Sequence, residues 1–241
     1  MAERQVRLHI DQPLHPGQAV ALDEGQANYL FAVMRLAVGA SVLLFNGRDG
    51  EWRAEVAEAN RRRGVLVCRD RTRPQEMPPD LWLIFTPLRK ERTAFLVEKA
   101  VELGVARLLP VTTRYLAGDR FRPEKELAHA TEAAEQCEAL WVPDIAPMQP
   151  LDKLLSGWEP SRRIFWADEG LAGQGTDWSA GRGDPAAILI GPEGGFAPEE
   201  RDRLRGLPFV TPVSLGPRIL RAETAALAAL TLWQARSGDW R

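Results

Sequence analysis

Hydrophobic and polar positions alternate in short runs over the first part of the chain. Val6–Ile10, Ser41–Phe45, Glu51–Ala57 and Val65–Arg69 repeat with the two-residue period of a half-buried strand. Turn-forming clusters, Asn46–Gly50 and Arg61–Gly64, separate them. One stretch, Gln26–Leu36, keeps helical spacing instead. The pattern predicts a small, mostly β, barrel-like module. Pro74–Asp80 (PQEMPPD) then carries three prolines in seven residues, which disfavours helix and central strand alike. The expected organisation is a first domain over 1–73, a linker over 74–80 and a second domain over 81–241.

Beyond the linker the period changes. Leu81–Thr86 is an apolar strand, and Glu91–Leu103 a helix with Ala94, Val97 and Val101 on one face, ended by Gly104. Arg107–Val111 follows as a strand and Pro123–Leu140 as a helix opened by proline. Ile164–Ala167 and Ala186–Ile190 read as strands, Pro198–Arg205 and Ala222–Ala235 as helices, and Gly170–Asp184 as a flexible loop. Alternation of this kind implies an α/β domain, a parallel sheet covered on both faces.

Two glycine-proline turns connect strand to helix in that domain. Ile188–Phe196 (ILIGPEGGF) follows a buried strand. Its glycines leave backbone groups uncovered to read the polar edge of a base-like ligand, or they serve only a tight connection. Ser214–Ala225 (SLGPRILRAETA) mixes apolar residues with arginine, unusual for a turn. Ile219 and Leu220 either wall an adenine or tuck into the core. Arg218 and Arg221 either face an anion or pair with carboxylates. Glu223 and Thr224 open the last helix, where capping alone is the plain explanation. In an open parallel sheet, ligands bind outside the carboxyl ends of the strands, where both turns belong. Neither is a GxxxxGK[ST] or GxGxxG phosphate loop, so an NTPase and a glycine-rich class I methyltransferase are disfavoured.

Composition changes this picture in one respect. The net charge of -2 and pI near 6.0 argue against nucleic acid as a partner, but the distribution does not. Residues 1–73 carry 11 Lys+Arg against 9 Asp+Glu, and Arg61–Arg73 alone holds six arginines and one aspartate. Screening confines fields to about 10 Å, so a local basic stripe can grip phosphates on an acidic protein, or it is a solvated strand edge. Cys68 and Cys137 have no CxxC partner. His9, His15 and His129 lack metal-ligand spacing. No apolar run approaches the roughly 18 residues of a membrane span. A reduced cytoplasmic protein without metal is expected.

These residues together resemble the RsmE family of 16S ribosomal RNA uridine-N3 methyltransferases, in the SPOUT superfamily. The likeness runs through Arg7-Leu8, Met34-Arg35-Leu36, Leu44–Gly50 (LFNGRDG), Glu98–Val105 (EKAVELGV), Glu135-Gln136-Cys137, Leu189–Phe196 and Leu215–Ala225. The last two stretches are the specific ones. The resemblance implies a PUA-like RNA-binding β-barrel domain, then a SPOUT domain with a deep trefoil knot, in a homodimer. It implies S-adenosylmethionine as cofactor, held by Leu189, Ile190, Gly191, Pro192, Glu193, Gly194, Leu215, Gly216, Ile219, Leu220, Arg221 and Thr224. Its partner would be 16S rRNA in the small ribosomal subunit, gripped by Arg7, Arg35, Arg61, Arg62, Arg63 and Arg89. The chain departs from the family at Asn28-Tyr29, commonly a histidine, and at Glu138–Trp141, where many relatives carry a basic residue.

Methylating N3 of uridine requires loss of a weakly acidic proton. Arg221 is expected to stabilise the developing uracil oxyanion, with Glu223 accepting the proton or orienting the base. Proton loss to solvent is the alternative. Two other readings stand beside this one: a SPOUT ribose 2′-O-methyltransferase, and a catalytically silent RNA-binding assembly factor.

Overall fold

The computed structural model describes residues 5–116, 121–174, 178, 181 and 183–240. Its contacts divide the chain after Met77, and Ala134–Trp141 belongs with the residues before that point. The expected second domain therefore lends a short segment to the first unit.

Among the described residues of the first unit, strands β1 (Arg7–His9), β2 (Ala19–Leu22), β3 (Ser41–Phe45), β4 (Glu51–Asn60) and β5 (Arg63–Arg73) form one sheet in the order β1-β3-β4-β5-β2. The β1–β3 pair is parallel and the others antiparallel. Register shifts at Glu51/Trp52, Arg53/Ala54 and Val56/Glu58 bend the β4–β5 ribbon, as bulges do. One face buries Leu8, Val20, Val42, Leu44, Ala54, Val56 and Leu66 against Leu30. The expected helix over Gln26–Leu36 is two shorter pieces. Helix α1 (Glu24–Asn28) starts from a capping box, in which Asp23 accepts from the Gln26 N–H and Gln26 Oε1 from the Asp23 N–H. A π-turn, Tyr29–Val33, continues it, and Arg35 leaves it in the left-handed region at φ 58°.

Arg7 is a correction to the expected RNA contacts. It is buried, ion-paired to Glu51 at 2.9 Å, and lies over the Phe45 ring. Its remaining donors reach the carbonyls of Ala134, Glu135 and Ala139 at 2.9, 3.2 and 3.0 Å. No phosphate can reach a side chain so enclosed. The departure at Glu138–Trp141 lies beside it: Glu138 takes φ 63° just past the helix end, a conformation usually given to glycine, and its carbonyl accepts from Arg73.

The second unit is an α/β sheet. Strands β6 (Leu81–Phe85), β7 (Arg107–Thr112), β8 (Asp144–Ile145), β9 (Gln149–Pro150), β10 (Arg163–Ala167), β11 (Ala186–Ile190) and β12 (Val210–Val213) pair in parallel throughout, in the order β12-β10-β11-β6-β7-β8, with β9 also on β7. Helices α2 (Lys90–Glu102), α3 (Pro123–Gln136), α4 (Leu151–Ser156), α5 (Pro198–Arg205) and α6 (Ala222–Ser237) connect or follow them. All five residues of β11 are buried, as a central parallel strand requires. On one face Ile84, Leu109, Ile164, Trp166, Ala187 and Leu189 pack with Leu155 and Leu204. The chain passes over β10 on its way from β11 to β12. That crossing brings the loops after β10, β11 and β12 to one end of three neighbouring strands. Much of the expected flexible loop (175–177, 179–180 and 182) lies outside the described residues. Among those described, no helix is long and apolar enough to cross a membrane.

Candidate active site

At the carboxyl ends of β10, β11 and β12 lies a cavity of about 570 Å³. Three loops build it. The loop after β11 contributes Gly191 to Gly195, pinned by a turn in which the Gly195 N–H donates to the Pro192 carbonyl at 2.9 Å. A Cβ on Gly191 would stand 2.6 Å from the buried Phe196 ring, so only glycine allows this return of the chain. The loop after β12 contributes Leu215, Gly216 and Arg218 to Arg221, then Ala222 and Ala225 of α6. Gly216 sits at φ 107° with open space where a side chain would be, so backbone conformation dictates glycine there. The loop after β10 contributes Asp168, Glu169 and Ala172.

Of the cofactor residues expected from the sequence, Ile190, Gly191, Pro192, Glu193, Gly194, Leu215, Gly216, Ile219, Leu220 and Arg221 line this cavity. Leu189 lies outside the lining: in β11 its side chain is fully buried in the sheet's core, on the face opposite to that of Ile190. Thr224 is exposed and lies outside the lining. Arg221 holds the N-cap position of α6, exposed and facing the cavity. Glu223, in the first turn of that helix, lies outside the lining; its side chain is 14% exposed, and its enclosed Oε2 has no hydrogen-bond partner among the described residues.

The neighbour of Glu223 is Arg92, which sequence reasoning did not single out. Reaching from α2 to the cavity wall, Arg92 pairs with Glu193 and holds its Nε 3.7 Å from Glu223 Oε1. One guanidinium thus links the first glycine loop to the start of α6. Nothing in the local pattern marks Arg92, since a charged residue in a first helical turn is ordinary. Asp168 and Glu169 had a signal: they follow directly on a parallel strand, where ligands collect.

A cavity at strand ends, walled by apolar side chains and uncovered backbone and rimmed by charges of both signs, suits a zwitterionic nucleoside-like molecule. The chain matches an RNA methyltransferase domain over residues 75–234 and an RNA methyltransferase PUA domain over residues 22–67. Fold and site therefore belong to an RNA methyltransferase with a PUA domain. The ribosomal RNA small subunit methyltransferase E of Synechocystis sp. is 30% identical over 219 residues, 88% of this chain and 71% of that one. The enzyme of that name from Rickettsia conorii is 26% identical over 228 residues, 93% of each chain. A Legionella pneumophila methyltransferase, solved in complex with the bound cofactor SAM, shares the fold with a TM-score of 0.86 and 28% identity, over 98% of this chain and 100% of that one. The chain belongs to the ribosomal RNA small subunit methyltransferase E family.

Proposed function

We propose that this protein methylates N3 of one uridine in the 16S rRNA of the small ribosomal subunit, using S-adenosylmethionine, as a cytoplasmic homodimer. The cavity at the ends of β10, β11 and β12 carries the reading. Its volume of about 570 Å³ lies within the roughly 300–1,000 Å³ of small-molecule sites. Ile190, Leu215, Ile219 and Leu220 offer apolar walls to an adenine, Glu169 and Glu193 offer carboxylates to cationic or donor groups, and Arg218 and Arg221 suit a carboxylate. We read the loops after β11 and β12 as the crossing loops of a trefoil knot.

When bound, the cofactor supplies an electrophilic methyl group whose bond to sulfur breaks as the bond to N3 forms. The chain's own residues handle the proton and the charge. Arg221, at the cavity and exposed, faces the developing negative charge on the uracil oxygens. Glu223 takes the N3 proton and passes it to water, or orients the N3–H for direct loss. Arg92, itself in the cavity wall, holds Glu223 beside it. Small subunits lacking the modification, incubated with protein and S-adenosylmethionine, should yield 3-methyluridine by nucleoside mass spectrometry. A 2′-O-methylated nucleoside would overturn the choice of N3, and no product with intact cofactor binding would overturn the choice of substrate.

For the RNA, we assign phosphate contacts to Arg35, Arg61, Arg62 and Arg63 of the first unit and Arg89 of the second. Within the basic stripe, Arg69 pairs with Glu55 and Arg73 with Glu76, while Arg53 engages Asp70. Arg61 and Arg62 form the β4–β5 turn and Arg63 opens β5; all three are exposed, with no ion pair among the described residues. Replacing these three by alanine should lower the log-log salt slope of RNA binding by about 0.7 for each phosphate no longer neutralised. Arg69→Ala should leave it unchanged. An unaltered slope in the triple variant would remove the turn from the RNA interface.

A further inference from the structure

Resting on the reading of the cavity as a cofactor site, we propose that Glu169 is a cofactor-binding residue. Its free carboxylate oxygen takes a donor group of S-adenosylmethionine, and Arg201 and Asp168 are positioning residues that hold it there. The observation behind this is a relay whose buried end has no other evident task. Where β10 ends, the Asp168 N–H bonds to the Val213 carbonyl at 3.1 Å and the chain turns through a short 3-10 helix, Glu169–Leu171. The Asp168 side chain is 0% exposed. It accepts from the Gly170 N–H at 2.9 Å, from Arg205 at 3.1 Å and from Arg201.

Burying a carboxylate is costly unless it is paired and hydrogen-bonded, and this one is saturated. Saturation fixes Arg201, whose other terminal nitrogen reaches Glu169 Oε1. Only one oxygen of Glu169 is used in this way. Oε2 accepts no hydrogen bond among the described residues, while the side chain, 39% exposed, forms part of the cavity wall. Gly195 lies across from it at φ 72°, and a Cβ there would come within 3.1 Å of Glu169 Oε1. The lining's other outward carboxylate, Glu193, is already engaged by Arg92. A rigid carboxylate with one open oxygen, small neighbours and a cavity before it is built to accept hydrogen bonds from a ligand. On this cofactor two groups offer them, the ribose diol and the α-ammonium. The shared chemistry is N–H or O–H donation to Glu169.

Calorimetric titration tests this without turnover. The ligands are S-adenosylhomocysteine, its 2′-deoxy analogue and 5′-methylthioadenosine, which keeps the diol and lacks the ammonium. Glu169→Gln and Glu169→Ala should weaken S-adenosylhomocysteine by about 10- to 100-fold, the range for a hydrogen bond to a charged group. If the diol is the donor, the 2′-deoxy analogue should bind wild type weakly and lose little more in the variants, whereas 5′-methylthioadenosine should lose the full factor. If the ammonium is the donor, 5′-methylthioadenosine should bind wild type and variants alike. Arg201→Met should weaken the parent ligand in wild type but add little in the Glu169→Gln background. Variants that bind all three ligands within about twofold of wild type would overturn the role of Glu169. A wild-type protein that binds none of them would overturn the reading of the cavity itself.

Discussion

Arg92→Ala should lower kcat by about 100-fold while changing the Kd for S-adenosylhomocysteine by less than about threefold, since a misplacement of about 1 Å at a reacting group costs a factor of that size. The expectation follows from where Arg92 stands. Its guanidinium bridges Glu193 on the first glycine loop and Glu223 at the start of α6. Glu223 has one oxygen near Arg92 and the other enclosed, without a hydrogen-bond partner among the described residues. A carboxylate so enclosed needs its countercharge to hold its place beside Arg92 at the cavity wall. On the proposed role of Glu223 as acceptor of the N3 proton, loss of Arg92 lets that side chain turn toward water and away from the base. Arg92 acts through Glu223, so kinetics should separate it from a merely structural residue. Arg92→Lys should restore part of kcat, because it keeps the charge but loses the fork that reaches two carboxylates. The Arg92→Ala/Glu223→Gln double variant should lose scarcely more than Glu223→Gln alone. An increase in KM for RNA at unchanged kcat would instead make Arg92 a phosphate contact, and additive losses in the double variant would break its link to Glu223.

What the sequence revealed about the site and what it concealed have a common physical basis. The loops after β11 and β12 were legible because a fully apolar strand running into glycine and proline has few structural solutions: Gly191 leaves no room for a side chain against Phe196, and Gly216 occupies a left-handed conformation that favours glycine. Leu189 falls outside the lining because a resemblance between stretches of sequence does not respect the alternation of faces within a strand. Strand β12 was not legible: its Pro212 argues against a strand, yet β12 is the sheet's edge, where a missing N–H costs no ladder bond. The helical spacing of Gln26–Leu36 hid a change of hydrogen-bonding pattern at Tyr29, since an α-helix and a π-turn bury nearly the same residues. Arg92 with its partners Glu193 and Glu223, and Asp168 with Arg201, come from separate stretches and meet only in the folded domain. No local pattern carries their association.

Arg7 illustrates the same limit, and it supports the second large effect. Arg7→Ala should destabilise the protein by about 3–5 kcal/mol, the range for removing one partner of a buried ion pair. Arg7 and Glu51 have side chains only 5% exposed, and Glu51 is further tied by the Thr72 hydroxyl at 2.8 Å. Truncating Arg7 leaves that carboxylate buried without its cation. It also strips donors from the carbonyls of Ala134 and Glu135, which lie at the end of α3, where a cation is favoured by the helix dipole. Chemical denaturation should show the loss as a lower midpoint at unchanged m-value. Replacing both partners by apolar residues of similar volume, Arg7→Met with Glu51→Leu, should cost less than Arg7→Ala alone, because no charge is then stranded. The salt dependence of RNA binding should be the same in wild type and in any Arg7 variant that folds. If Arg7→Ala were as stable as wild type and bound RNA with a shallower salt slope, the side chain would be a surface phosphate contact after all, and the buried pair with Glu51 would not exist in solution.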